Sequence, residues 1–249
     1  MDFDHSMDVF DARLYHPSTM LIAGPSSSGE FSSKLPGNFI FCIFILPSIK
    51  ITRKTSFTLK LLENRNMVFK PVPPSFVILI YESWQKSYDV MQEQKLIHLS
   101  IKGLDNMEYL KELFEENKNS GGTLIIFDDQ MQKVDYNLVN IFTIYSHHLN
   151  VTCLLLTQSL FLSNKIYRVL SLNTHYIVLM KNTRDSSSVS ILAKQTHPFR
   201  ARFVTDAFLD ATKEPFSYLV MDLRQETDEK IRLRSNIFSD LISVYVPNS

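Results

Sequence analysis

Two glycines separated by four residues follow a short aliphatic run. Met20-Leu21-Ile22-Ala23 leads into Gly24-Pro25-Ser26-Ser27-Ser28-Gly29. That is the glycine spacing of a phosphate-binding loop, G-x-x-x-x-G-K-[ST], set between a strand and a helix. The glycines let the backbone curl and turn several amides inward on a phosphate. A lysine must follow at once to reach the β- and γ-phosphates, and a Ser or Thr hydroxyl must follow it to ligate Mg²⁺. Here the next residues are Glu30 and Phe31, which can do neither. Removing the 24 residues Glu30 to Arg53 joins Gly29 to Lys54-Thr55-Ser56 and completes the loop, with a helix beginning at its end. One in-frame deletion thus recovers both missing side chains. Residues 30–53 read as foreign to the ancestral loop, with three origins open: a retained intron, a gene-model error or an insertion in a decaying element.

Two further sites fit the same chemistry. Thr123-Leu124-Ile125-Ile126-Phe127 ends in Asp128-Asp129, a Walker B pattern. Such a strand buries itself and delivers Asp128 to the water shell of Mg²⁺, with Asp129 placed to polarise an attacking water. Alone the pattern is weak, because strands often end in a solvated Asp; an upstream phosphate loop strengthens it. Val151 to Thr157, a third apolar run, ends at Gln158. In ATPases of the additional-strand type such a strand lies between the loop strand and the Walker B strand, and its polar end senses the γ-phosphate. The plainer alternative is a Thr-Gln pair that caps the following turn.

The elements that must hold these residues follow a regular alternation. Apolar runs at Thr19–Ala23, Phe76–Tyr81, Thr123–Phe127, Val151–Thr157, Tyr176–Met180 and Phe216–Met221 are rich in Ile, Leu and Val and do not alternate with polar residues. Strands covered on both faces of a parallel sheet read this way. Between them, 55–65, 107–117, 134–148, 186–194 and 200–212 carry apolar residues at helical spacing. The expectation from this alternation is an α/β fold with a mainly parallel sheet and helices on both faces, and the motifs above make it a P-loop NTPase of the additional-strand type. Residues 19–238 form one domain, preceded by an extension over 1–18 and followed by a tail over 239–249.

Composition excludes several classes. The chain has 249 residues, 45% apolar and 21% charged, so wholesale disorder and a coiled coil are out. With 26 basic and 26 acidic residues there is no global field, and a nucleic-acid partner would have to be held by local basic loops. Two cysteines exclude a disulfide framework and a Cys-rich zinc site. The acidic N-terminus is unlike a signal peptide, and the longest apolar run, Phe39 to Leu46, is far short of the roughly 20 residues of a membrane span. The expected setting is intracellular, in nucleus or cytoplasm, not secreted, with no membrane partner. His147-His148 lack further ligands at metal-site spacing. Trp84 and Tyr88 read as core, Cys153 as a small buried hydrophobe, and Arg200, Arg202, Lys213, Arg232 and Arg234 as a solvated face.

RLYHPSTMLIAGPSSSG, KTSFTLKLLENR, TLIIFDDQM, SHHLNVTCLLLTQSLF, LNTHYIVLMKNTRD and RLRSNIF together resemble the genome-packaging ATPases of Polinton/Maverick transposons and adintoviruses. These belong to the FtsK/HerA superfamily, beside the poxvirus-type packaging ATPase. The resemblance covers Arg13 to Gly29 and Lys54 to about Phe238. It implies ATP and Mg²⁺ as cofactors, a homo-oligomeric ring (a hexamer), translocation of double-stranded DNA, and capsid proteins as further partners. It carries Gly24, Pro25, Ser26, Ser27, Ser28, Gly29, Lys54, Thr55 and Ser56 onto the nucleotide, Thr55 and Asp128 onto the metal, and Asp129 and Gln158 onto catalysis. Arg184, following a strand expected at a sheet edge, is a candidate trans-acting finger. A salt bridge to Asp185 or a helix-capping role remains open beside it. The interrupted loop leaves a second reading open: a catalytically inactive ATPase relic acting as an interaction protein.

Overall fold

A computed structural model describes residues 11–25, 28–29, 51–128, 135–161 and 165–247. In chain order the described strands are β1 (Leu14–Tyr15), β2 (Thr19–Ala23), β3 (Ser28–Gly29), β4 (Ile51–Thr52), β5 (Phe69–Lys70) and β6 (Phe76–Tyr81). They continue as β7 (Leu99–Lys102), β8 (Thr123–Phe127), β9 (Val151–Thr157), β10 (Tyr176–Met180), β11 (Tyr218–Asp222), β12 (Leu233–Ser235) and β13 (Ser243–Tyr245). Nine of them form one sheet in the order β13-β12-β11-β10-β2-β9-β8-β6-β7. From β10 to β7 every pairing is parallel. The three strands beyond β10 pair antiparallel.

The unbroken apolar runs follow from burial on both faces. Along β2, Leu21 and Ala23 face one core while Met20 and Ile22 face the other, and β6, β8, β9 and β10 divide in the same way. One face is covered by helices Met107–Asn117, Lys165–Leu172, Ser187–Thr196 and Ala201–Ala211, through Leu110, Phe114, Leu170, Leu192, Val204 and Phe208. The other is covered by helices Arg53–Glu63 and Lys86–Glu93, through Phe57, Leu61, Tyr88 and Met91. With helices on both faces, no strand from β10 to β6 needs a polar side.

Several expectations need correction. The run expected over Phe216–Met221 begins at Tyr218 and is antiparallel to β10. Two helices lie between β10 and β11, so the chain returns to the end of the sheet it left, and the next strand must run backwards. Phe216 has a positive φ of 63° and belongs to the preceding turn. The helix expected over 134–148 divides into Tyr136–Asn140, a π-helical turn over Ile141–Tyr145, and Ser146–His148. The stretch 239–249, expected as a tail, contributes the edge strand β13, paired to β12 with Ser235 opposite Ser243. Nor is 11–18 a mere extension: β1 pairs parallel with β5, and Leu14 is fully buried. Arg234, expected on a solvated face, is 1% exposed and ion-paired to Asp222 at 2.5 Å. Trp84, expected in the core, is 42% exposed.

Gly122 is a position where only glycine fits. Its φ is +78°, and a Cβ there would lie 2.3 Å from the Asn150 carbonyl oxygen. That close approach lets the Thr123 amide donate to the same oxygen at 3.0 Å, which starts β8 in register beside β9.

Candidate functional site

The C-terminal ends of four neighbouring parallel strands converge on one edge of the sheet. Ala23 at the end of β2 lies opposite Thr157 of β9 and Leu179 of β10, and Phe127 at the end of β8 lies opposite Leu155 of β9. The Gly24 amide continues the ladder, donating to the Thr157 carbonyl at 3.1 Å. Gly24, Asp128, Gln158 and Lys181 therefore leave the sheet side by side. β9 lies between β2 and β8, the place the polar-ended strand was expected to occupy. Ligands of open α/β sheets bind outside the carboxyl ends of strands.

The phosphate loop is only partly described. Gly24 and Pro25 follow β2, and a Cβ on Gly24 would sit 3.1 Å from both Cβ and Sδ of Met180. Ser26 and Ser27 lie outside the described residues. Ser28 and Gly29 pair antiparallel with Ile51 and Thr52, with Ser28 opposite Thr52 and Gly29 opposite Ile51. Gly29 thus comes back beside the start of the Arg53–Glu63 helix without being next to Lys54 in the chain. Lys54, Thr55 and Ser56 occupy the first turn of that helix and are buried. The aromatic run Phe39 to Leu46 lies outside the described residues.

The helix start differs from that of an uninterrupted loop. Thr52 is its N-cap, with an extended backbone, and its hydroxyl oxygen accepts the Thr55 amide at 3.2 Å. The same oxygen lies 2.8 Å from the Thr55 hydroxyl. A side chain from the interrupting segment therefore holds the amide and the hydroxyl that the loop motif assigns to phosphate and metal.

Asp128 follows β8 and is 4% exposed. Its amide donates to the Ile80 carbonyl at 3.0 Å, and its Oδ2 accepts the Tyr88 hydroxyl at 2.7 Å. Asp129 lies outside the described residues. Of the two polar residues at the end of β9, Thr157 takes up the capping alternative. Thr157 makes the capping turn, its hydroxyl donating to the Ser159 carbonyl at 2.7 Å and accepting the Ser159 amide at 3.2 Å. Gln158 is exposed and lines a cleft of about 610 Å³.

That cleft gathers charge. Pro25, Gln158 and Asn182 line it together with the cationic residues Arg53, Lys181, Arg184 and Lys213, against one acid, Glu214, among the described residues. The Arg53 guanidinium donates to the Lys181 carbonyl at 3.1 Å, and Lys213 is paired to Asp210 at 2.5 Å. Arg184 does not follow an edge strand: β10 lies inside the sheet, between β2 and β11. Among the described residues it has no ion-pair partner. Asp185 instead caps the Ser187–Thr196 helix, its Oδ1 accepting the Ser188 amide at 3.3 Å and hydroxyl at 2.6 Å. Arg184 shares its cleft with Gln158 and Pro25 of its own chain.

The donor set fits a magnesium nucleotide. Asp128 and Thr55 offer a buried carboxylate and a buried hydroxyl of the kind Mg²⁺ takes, while the cationic cleft is lined by Arg53, Lys181, Arg184 and Lys213 and not by Lys54, Thr55 or Asp128. Burial pushes the Cys153 thiol well up, as its place in mid-strand implies, and raises Tyr167, beside the end of β9, to about 12. Tyr88 is core, as its spacing implied, at 2% exposed, but its hydroxyl bond to Asp128 was not foreseen. Its only signal was a tyrosine at helical spacing after the β6 strand, which core packing explains equally well.

No family model matches the chain, and no curated protein matches it. Among solved structures, the chain is similar to the cytoplasmic domain of the Thermomonospora curvata Type VII secretion ATPase EccC, with a TM-score of 0.43 and 14% identity. The match covers 88% of this chain and 26% of that one, so the chain spans about a quarter of that protein's length. Independently of that likeness, the described fold is an α/β domain with a large, mostly parallel sheet, compatible with a P-loop ATPase. None of its helices, among the described residues, is long and apolar enough to cross a membrane.

Proposed function

We propose that this chain is a P-loop ATPase subunit of the additional-strand, FtsK/HerA-like type, working as a DNA-translocating motor. One observation carries the reading: β9 lies between the strand that leads into Gly24 and the strand that leads into Asp128, so that Gly24, Asp128 and Gln158 emerge at one edge. Under this reading Gly24 to Gly29 and Lys54 to Ser56 hold the phosphates, and Thr55 and Asp128 hold the metal. Asp129 orients the attacking water and Gln158 contacts the γ-phosphate. When bound, Mg²⁺ neutralises charge that develops on the phosphoryl oxygens. Arg184 supplies cationic charge to the same cleft, either to its own nucleotide or to a neighbour's in a ring. Duplex DNA, a hexameric ring and a capsid partner enter through the motif resemblance, as does a place among Polinton/Maverick-type packaging proteins.

A second reading has its own support. Thr52 occupies the Thr55 amide and hydroxyl, which is what a relic that has lost its ligand would be expected to retain. Hydrolysis separates the two. The full chain, Lys54→Ala and Asp128→Asn are assayed for Mg²⁺-dependent ATP hydrolysis with and without duplex DNA. DNA-stimulated turnover that both substitutions reduce at least a hundredfold is expected for the motor. Turnover unaffected by Lys54→Ala refutes the site, and none in any form favours the relic.

A further inference from the structure

Behind Asp128 lies a short relay of aromatic rings that ends at the surface. Tyr88, from the Lys86–Glu93 helix, is 2% exposed and donates its hydroxyl to Asp128 Oδ2 at 2.7 Å. A buried hydroxyl is unfavourable unless bonded, and a phenol that donates to a carboxylate makes one of the stronger neutral-to-charged hydrogen bonds. Packing alone would be served by phenylalanine, so the hydroxyl's consequence is at the carboxylate, whose orientation it fixes. The Tyr88 ring in turn meets Trp84 edge-on, with centroids 5.4 Å apart and planes at 81°. Trp84 also meets Tyr81 at 5.0 Å, and its indole N–H donates to Asp89 Oδ1 at 2.8 Å. Trp84 is half exposed and is the only tryptophan in the chain.

We infer that Tyr88 is a positioning residue: it holds the Asp128 carboxylate in the orientation that receives a divalent cation, and Trp84 senses the occupancy of that carboxylate through the Tyr88 ring. The inference rests on the reading of Asp128 as the metal-side acid of the nucleotide site. Partners that orient a metal-binding carboxylate typically change metal affinity by about ten- to a hundredfold when removed. A hydroxyl that served packing alone would change stability and leave metal affinity where it was.

The test uses the full chain and the emission of Trp84. It is titrated with Mn²⁺ alone, and separately with a non-hydrolysable ATP analogue with and without Mg²⁺. The wild-type protein should change emission on binding Mn²⁺. Tyr88→Phe should need about ten times more Mn²⁺ for the same change, while its affinity for the analogue in EDTA is unaltered. Asp128→Asn keeps an oxygen to accept the Tyr88 hydroxyl and should lose the Mn²⁺ response altogether. If Tyr88→Phe does not fold, Asp128→Asn still tests the premise, since a full response there overturns the inference. A folded Tyr88→Phe with wild-type Mn²⁺ affinity also overturns it, and leaves the nucleotide reading standing if the analogue binds. A Tyr88-dependent Mn²⁺ response without analogue binding supports the positioning role and refutes the nucleotide site. Binding of neither refutes both.

Discussion

Thr52 gives the reasoning its sharpest test, because its removal should push stability and ligand affinity in opposite directions. Its side-chain oxygen caps the Arg53–Glu63 helix by accepting the Thr55 amide at 3.2 Å, and it lies 2.8 Å from the Thr55 hydroxyl. Thr52→Ala removes this N-cap, a loss of about 1 kcal/mol. In a chain of this size that lowers the melting temperature by roughly 2–4 °C. For a nucleotide the sign reverses. On the proposed reading phosphate and metal take the Thr55 amide and hydroxyl, and in the wild-type chain they must first displace Thr52. One or two hydrogen bonds, each worth about 1 kcal/mol net, correspond to binding about five- to thirtyfold tighter once Thr52 is gone. Calorimetric melting without ligand and titration with a magnesium nucleotide analogue measure the two effects on the same protein. A variant that melts lower yet binds no more tightly refutes the competition. One that melts at the wild-type temperature refutes the cap.

Two further perturbations test the frame that holds the site. Asp222→Asn leaves the Arg234 guanidinium, 1% exposed and bonded to Asp222 and the Ala12 carbonyl, buried without its counter-charge. A loss of about 3–5 kcal/mol is expected, read as a fall in melting temperature of roughly 6–20 °C; a fall of a degree or two contradicts it. His16 bonds Thr152 Oγ1 at 2.7 Å and the Gly121 carbonyl at 2.8 Å, and burial holds its pKa down at about 4. A depressed histidine favours the neutral folded form, so its contribution is complete above pH 6.5 and is lost as pH falls from there through about 4. The full loss is roughly 3 kcal/mol. His16→Gln should flatten that part of the stability–pH curve, and a curve parallel to the wild type would remove His16 as its cause.

Legibility in the sequence tracked burial. Thr19–Ala23, Phe76–Tyr81, Thr123–Phe127, Val151–Thr157 and Tyr176–Met180 have the extents read from their apolar runs, because each is covered on both faces and carries no competing polar pattern. Leu99–Lys102 left no such run: it is the edge strand beside β6 and only partly buried. Leu233–Ser235 is three residues long with Arg234 at its centre. A charged residue in a fully buried strand can be understood only with Asp222, twelve residues earlier, already in place beside it. Both helices between β10 and β11 were read from the sequence, at 186–194 and 200–212, but the reversal of direction that two helices bring was not drawn from them. In the candidate site, the places of Gly24, Asp128 and Gln158 were legible because each directly follows a buried strand, where a polar residue costs least. The bond from Tyr88 was not, because its hydroxyl has meaning only once the Lys86–Glu93 helix is laid against β8.

The interruption after Gly29 is where sequence and structure part most instructively. Read along the chain, residues 30–53 break the loop, and deletion looks like the one repair. In space, the pairing of Ser28–Gly29 with Ile51–Thr52 returns the chain to the helix it left. Return is not restoration, however. In an uninterrupted phosphate loop the glycine runs straight into the helix, and the ligand's oxygens satisfy the first amides, so that the nucleotide is itself the cap. Here the segment that separates Gly29 from Lys54 also delivers Thr52, whose hydroxyl caps the same turn from within the protein. The helix can then close its first turn with no ligand present. An acceptor held in the chain competes at an effective concentration that a free nucleotide must exceed, so the residue that lets the fold tolerate the interruption is also the one that weakens the proposed site.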